Sequence, residues 1–474
     1  MENCKEREIP KPKEELSFSS LALRKELITN LSSLDYSKMT PIQAQSLPLM
    51  LNHADVIAQA QTGSGKTVAF GLTLLNFLKV DQLQPQALVL CPTRELAEQV
   101  SQVLRRLARL LPNVKILNLS GGIPMRPQVE SLKYGAHLII GTPGRIQKHL
   151  AKGTLSLACL GRLVLDEADK MLEMGFLDAI KHVLSYCPAK RQTLLFSATF
   201  PTLIKELATE FMSKPFTVKI EEGQGNIQAI EQSFFEVPNQ ADKYALLKKL
   251  LGHYQPTSTL IFCNTKESTQ ELAKKLNQDG LSATVLNGDL EQSARDEAMI
   301  QFSNQSCSIL VATDVAARGL DIKELPAVIN YELAFAPETH IHRVGRTGRA
   351  GCKGIALNLT TPKDAERLCA LEQLMSQPLQ WGLIKDLQSP KPLLTLQPKM
   401  LTLRLMAGKR DKIRPGDILG ALTKDAGLHA NLIGKIDILA THSYVAIEQS
   451  QIGKAYAQFN KGKLKGKKVG VQQL

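Results

Sequence analysis

The chain has 474 residues, 43% of them hydrophobic and 22% charged, and carries a formal net charge of +13. That apolar content lets each part bury a core, and no apolar run approaches the roughly 20 residues that span a bilayer, which argues against a membrane helix. At about 100–200 residues per domain, the length predicts two to four domains. The positive charge suits a polyanionic partner such as nucleic acid, although solubility alone would also account for it.

The excess charge is uneven. From Lys399 to Leu474 there are 14 Lys and Arg against 5 Asp and Glu, so this short segment holds most of it. The eight cysteines form no CxxC pair and stand at no metal spacing from a histidine. They read as buried thiols in a reducing compartment. The N-terminus, MENCKEREIPKPKEEL, lacks the apolar stretch of a secretory signal. The expectation is a soluble, cytoplasmic chain with no membrane partner.

In chain order, the first half alternates short apolar runs with helical patterns. The strand candidates are DVIAQA (55–60), ALVLCPT (87–93), VKILNLSGG (114–122), HLIIGTPGR (137–145), RLVLDEAD (162–169) and TLLFSAT (193–199). Each starts apolar and breaks into small or polar residues. Such alternation predicts a parallel sheet covered on both faces, with ligands beyond the carboxyl ends of the strands. The polar, glycine-containing stretch 221–232 reads as a linker. After it the scheme repeats in STLIFCNTK (258–266), SATVLNGD (282–289), CSILVATD (307–314), AVINYEL (327–333) and KGIALNLTT (353–361). A proline-bearing break follows at 385–399. The predicted organisation is an N-terminal extension 1–15, an α/β domain 16–221, a linker 222–232, a second α/β domain 233–384, a linker 385–398 and a C-terminal module 399–474.

The first strand runs into AQTGSGKT (60–67) and then an apolar helix. This is a phosphate-loop pattern with Ala60 at its first glycine position. Gln61, Thr62, Gly63, Ser64 and Gly65 form the loop, whose backbone N–H groups would face phosphate oxygens at a helix N-terminus. Lys66 would reach the β- and γ-phosphates and Thr67 would ligate Mg²⁺, so ATP with Mg²⁺ is the predicted cofactor pair. LVLDEAD (163–169) delivers Asp166 as the second Mg²⁺ ligand and Glu167 to position or deprotonate the attacking water. In HIHRVGRTGR (340–349), Arg343, Arg346 and Arg349 fall three apart and can share a face of a helical turn. Alone this is an ordinary basic patch. Beside a phosphate-loop domain it can supply arginines to the γ-phosphate.

The C-terminal segment reads as strand (LTLRLM), helix (DILGALTKDA, capped by Asp417), two strands (433–439 and 442–449), helix (450–460) and a last short strand. That βαββαβ order suits an RRM-like fold and places the lysines of 461–468 in the loop before the final strand. The central strands offer only Tyr444 as a base-stacking aromatic. Two uses stay open: protein contact, or RNA binding through loops and edges. The basic composition favours the second, with Arg404, Lys409, Arg410, Lys412, Arg414 and Lys435 as contacts.

Taken together, these motifs resemble the DEAD-box RNA helicases over about residues 16–375. The resemblance implies two RecA-like parallel-sheet domains forming a helicase core. It implies that Gln43 in MTPIQ (39–43) reads adenine while Phe18 stacks on it. It assigns RNA-backbone contacts to Arg94 in PTREL, Gly122 in the GG pair, Thr142 and Arg145 in TPGR, and Thr313 and Asp314 in the second domain. It assigns the coupling of hydrolysis to unwinding to Ser197 and Thr199, interface support to His342 and Arg343, arginine fingers to Arg346 and Arg349, and a place near the ATP ribose to Asp321. With its IRPGDILGALT and IGKI stretches, the whole chain closely resembles the bacterial DbpA group. That implies an anchor on a 23S ribosomal RNA hairpin and a role in 50S subunit assembly. No oligomerisation signal is evident, so a monomer is the default, and the Gln43 motif with the RRM-like module argues against a DNA helicase. An ATP-switched RNA clamp without productive unwinding would use the same motifs.

Overall fold

The computed structural model describes residues 17–60, 64–200, 202–220, 230–317, 325–348, 354–375, 377–387 and 397–474. Gln61, Thr62, Gly63, Asp321 and Arg349 lie outside the described residues. The chain divides into two compact units within the segment read as the first linker.

The first unit contains the six expected strands: β1 (Val56–Gln59), β2 (Ala87–Leu90), β3 (Ile116–Leu119), β4 (Leu138–Gly141), β5 (Arg162–Leu165) and β6 (Gln192–Ser197). An unexpected strand, β7 (Phe216–Lys219), pairs with β1 at the sheet edge. Only Val218 of β7 is fully buried, which is why FTVK gives no strong apolar signal. All pairs are parallel, in the order β3-β4-β2-β5-β6-β1-β7. Successive residues of a strand enter opposite cores. Val56 and Ala58 join Val89 and Phe196 on one face, and Ile57 joins Leu88 and Leu195 on the other. Burial on both faces is why these strands read as unbroken apolar runs.

The second unit carries β8 (Ile230–Glu236), β9 (Thr259–Phe262), β10 (Ala283–Leu286), β11 (Ile309–Ala312), β12 (Ala327–Asn330) and β13 (Gly354–Thr360). Their order is β10-β11-β9-β12-β13-β8, again with parallel pairs. β8 begins at Ile230, inside the stretch expected to be linker. Glu231 and Gln232 mask it in the sequence, yet β8 pairs with β13 along seven residues and buries Phe234 and Phe235.

The same unit includes the C-terminal module. β14 (Met400–Leu405), β15 (Ile433–Ile438), β16 (Ser443–Glu448) and β17 (Val471–Gln473) form an antiparallel sheet in the order β15-β16-β14-β17. With the helices Pro415–Gly420 and Ile452–Lys461 this is the expected βαββαβ arrangement. Asp417 accepts from the backbone N–H of Arg414 at 2.8 Å, so it caps the first helix from its third position and not from its start. One sheet face packs Leu403, Leu405, Val445 and Ile447 onto Ile418 and Phe459.

The other face is covered by the second α/β domain. Thr402 Oγ1 accepts a hydrogen bond from Asn304 Nδ2 at 2.8 Å and shares one with Ser306 Oγ at 2.6 Å. Arg404 Nη1 lies 3.2 Å from Glu297 Oε2, and Tyr444 OH donates to that same oxygen at 3.4 Å. Lys435 Nζ donates to Ser303 Oγ at 3.2 Å. Glu297 and Ser303 belong to the helix Gln292–Ser303, and Thr402, Tyr444 and Ala446 are buried. The face on which RRM domains commonly stack bases is therefore closed by this helix. Glu297→Arg places two cations together there, and exchange of the helix amides is expected to speed up by about an order of magnitude, following a loss of about 1–2 kcal/mol. Hydrogen-exchange mass spectrometry over 292–303 checks this. Adding Arg404→Glu is expected to restore slow exchange.

Candidate nucleotide and RNA site

The chemistry gathers at the carboxyl ends of the strands. β1 leads through Ala60 to the loop, and the helix Lys66–Asn76 starts directly after Gly65. Gly65 has φ 96, and a Cβ there would collide with the Gln43 amide, so both conformation and space demand glycine. Gln43 Oε1 accepts from Thr40 N at 2.9 Å, and Gln43 Nε2 donates to Gly65 O at 3.1 Å. The glutamine expected to read adenine thus braces the phosphate loop. Phe18 is 3% exposed and belongs to the hydrophobic core, so its ring offers no open face to a base. Lys66 is buried, with Nζ donating to Ala60 O at 2.9 Å across the loop.

Asp166 and Glu167 follow β5, each 3% exposed. Burial pushes the Asp166 carboxyl up to about 6; Lys66 opposes that shift and Glu167 adds to it. Glu167 is left-handed, with φ 52 and ψ 53, an uncommon conformation for a residue with a Cβ. Its Oε2 accepts from Lys170 Nζ at 3.0 Å. Asp169, which had no separate role among the expectations, ties this segment to the end of β6. Its Oδ2 accepts from Ala198 N at 3.0 Å, Thr199 N at 2.9 Å and Thr199 Oγ1 at 3.1 Å. Ser197 Oγ accepts from Asp169 N at 3.3 Å and donates to Thr199 O at 2.7 Å. These bonds join Asp169 directly to Ser197 and Thr199. The spacing of three acids in four residues was the available signal.

A Mg²⁺ ion fits the residues present. The Asp166 carboxylate is buried at a cost that a divalent cation would offset, and Thr67 stands next to Lys66. Among the described residues no group of three or more His, Cys, Asp and Glu forms a metal cage.

The predicted RNA contacts of this unit also converge. Gly122 has φ 81, and a Cβ there would strike the Arg94 guanidinium, so the backbone passes directly against that side chain. The charge on Arg145 is disfavoured first by burial and then by Arg94. Two guanidinium groups held this close favour an anion between or beside them. Thr142 stands at the start of the helix Pro143–Ala151 that carries Arg145, and its backbone oxygen accepts from Arg145 N at 3.0 Å.

In the second unit, Arg343 is 1% exposed and not part of an open basic face. The helix Pro337–Val344 ends before Arg346, so Arg343 and Arg346 do not share one helix, and Arg349 lies outside the described residues. Arg343 Nε and Nη2 grip the two Asp314 oxygens at 2.6 and 2.7 Å. Nη1 donates to Glu332 O at 2.6 Å and Asn330 Oδ1 at 3.1 Å, and Nη2 also donates to Asn264 Oδ1 at 2.8 Å. Asp314, expected along RNA, is thus a partner of Arg343, and Thr313 beside it is buried. Arg346 is buried as well, and His342 is half-buried. Arg404, expected to touch RNA, faces the helix Gln292–Ser303, and Lys435 donates to Ser303 of that helix while remaining exposed. Lys409, Arg410, Lys412 and Arg414 are exposed.

Three family models match in succession: DEAD/DEAH box helicase over residues 40–207, helicase conserved C-terminal domain over 242–351, and DbpA RNA binding domain over 402–473. The chain is 49% identical to the ATP-dependent RNA helicase DbpA of Escherichia coli strain K12 over 462 residues, covering 97% of this chain and 99% of that protein. This chain belongs to the DEAD-box ATP-dependent RNA helicases, in the DbpA group. Its DEAD-box core is also 43% identical over 357 residues to the helicase CshA of Geobacillus kaustophilus, covering 75% of this chain and 76% of that one. Among solved structures, Saccharomyces cerevisiae Dbp5 bound to RNA and ADP BeF3 matches with TM-score 0.72 at 32% identity, covering 78% of this chain and 96% of that one. The chain is therefore an ATP-dependent RNA helicase, and its C-terminal sheet lies almost entirely within the match to the DbpA RNA binding domain. Among the described residues no helix is long and apolar enough to cross a membrane.

Proposed function

We propose that this helicase remodels 23S ribosomal RNA during assembly of the 50S subunit, as a cytoplasmic monomer anchored by its C-terminal module to an rRNA hairpin. The observation that carries the anchor is the joining of two exposed basic loops outside the covered sheet face. Lys465 Nζ donates to Lys412 O at 2.7 Å and pairs with Asp417 at 3.1 Å. This brings the exposed Lys463, Lys465, Lys467 and Lys468 beside the loop of Lys409, Arg410, Lys412 and Arg414. A hairpin offers phosphates and splayed bases to such a surface.

At the catalytic end, Lys66 and the loop N–H groups would hold the ATP phosphates, and Asp166 and Thr67 would hold Mg²⁺, which when bound would supply charge neutralisation on the phosphate oxygens. Glu167 orients the attacking water and takes its proton. Arg346, with Arg349, meets the charge that develops on the γ-phosphate. Arg94, Gly122, Thr142 and Arg145 take the RNA backbone, which carries little sequence information. A specific anchor raises the local concentration of such an indifferent core near its target.

The test is steady-state ATPase with a 23S fragment containing the peptidyl-transferase hairpin, a scrambled hairpin and a homopolymer. The 23S fragment is expected to half-activate the full chain at concentrations lower by about 10²-fold. Replacing Lys409, Arg410, Lys412 and Arg414 by alanine is expected to erase that preference while leaving activation by the homopolymer. Equal activation of the unaltered chain by all three RNAs would remove the ribosomal assignment.

A further inference from the structure

The helix Met125–Lys133 buries one residue completely, and that residue is the polar Gln128, at 4% exposure. Burying an amide is costly unless its hydrogen bonds are made. Here they are made to two segments already placed on the RNA path. Gln128 Nε2 donates to Ser120 O at 3.0 Å, directly before the Gly121–Gly122 pair. Gln128 Oε1 accepts from Arg145 Nη1 at 2.8 Å and lies 3.0 Å from His149 Nε2. Arg145 and His149 stand four apart on the helix Pro143–Ala151, so one helical face presents both to the same oxygen.

The surrounding groups fix the orientation of each partner. Arg145 can only donate, so the Gln128 oxygen must face it and the nitrogen must face Ser120. The His149 ring then donates through Nε2, leaving Nδ1 to accept from Thr154 Oγ1 at 2.8 Å. Burial first, then Arg145 and Lys152, lower the His149 pKa to about 4, which keeps this ring neutral near neutral pH. Arg145 Nη2 donates in addition to Ile123 O at 2.9 Å, on the far side of the glycine pair. The guanidinium is thus held by Gln128 on one side and the loop on the other.

We propose that Gln128, backed by His149, is a positioning residue for RNA: it locks the GG loop and Arg145 into one rigid phosphate-binding surface before RNA arrives. The inference rests on the reading that Gly122 and Arg145 touch RNA. Preorganisation of this kind acts on RNA affinity and not on the phosphoryl-transfer step.

The experiment measures RNA-stimulated ATPase of the full chain with Gln128→Leu, Gln128→Glu, Arg145→Ala and the pair Gln128→Leu with Arg145→Ala. ATP affinity without RNA serves as the folding control. Gln128→Leu is expected to raise the half-activating RNA concentration about tenfold, with kcat at saturating RNA within about twofold. Gln128→Glu keeps an oxygen toward Arg145 but loses the donor to Ser120 O, so a smaller rise of about threefold is expected. The paired variant is expected to fall well short of the product of the two single effects. A half-activating concentration unchanged by Gln128→Leu, but raised by Arg145→Ala, overturns the inference. So does a fully multiplicative pair, or a loss of kcat and ATP affinity in parallel. If Arg145→Ala itself changes nothing, the assignment of this surface to RNA falls, and the inference with it.

Discussion

Glu167→Gln is expected to lower RNA-stimulated ATP turnover by about 10²–10⁴-fold while ATP and RNA binding persist. The amide has the shape of the carboxylate but cannot take a proton. The site argues for a proton-handling role because Glu167 is nearly closed to solvent, sits beside a second acid and is held in a left-handed backbone conformation. Such strain persists only where the surroundings impose it. Lys170 steadies one carboxylate oxygen at 3.0 Å, which orients the group without adding a base. Turnover measured with saturating RNA, beside fluorescent-nucleotide binding, checks the prediction. Unchanged turnover would remove Glu167 from the reaction.

Arg343→Leu is expected to destabilise the second α/β domain by about 3–5 kcal/mol. The guanidinium makes five hydrogen bonds to Asp314, Asn330, Glu332 and Asn264, and lies 5.0 Å from the centre of the Phe262 ring. Its removal leaves the carboxylate of Asp314 and two amide oxygens without their cation. Arg343→Lys keeps the charge but not the planar fork, so a loss of about 2 kcal/mol is expected. Urea unfolding, followed by a probe in this domain, measures both. If both variants lie within about 0.5 kcal/mol of the parent chain, as surface substitutions do, the hub has no structural weight.

The parallel-sheet domains and the order of the C-terminal module were legible in the sequence, because each rests on local chemistry. AQTGSGKT needs only a strand, glycines and a helix, all contiguous. β7 and the start of β8 stayed hidden because edge or polar residues dilute their apolar signal. Partnerships across long separations were not legible at all. Nothing in the sequence pairs Arg404 with Glu297, 107 positions earlier, or Arg343 with Asp314. A basic residue in a basic segment reads as an RNA contact until the fold shows an acid against it. Gln128 was invisible for the opposite reason: a single glutamine in a polar helix carries no signal until its burial is seen.

Strand displacement distinguishes a helicase from a clamp. The substrate is a labelled duplex joined to the 23S hairpin, beside one joined to a scrambled hairpin, each with ATP and with the full chain or its Glu167→Gln form. ATP-dependent separation by the full chain is expected on the hairpin substrate, at protein concentrations too low to act on the scrambled one, and none by the variant. ATP turnover on the hairpin substrate with the duplex left intact would contradict this expectation, and would mark the protein as an ATP-switched clamp on RNA.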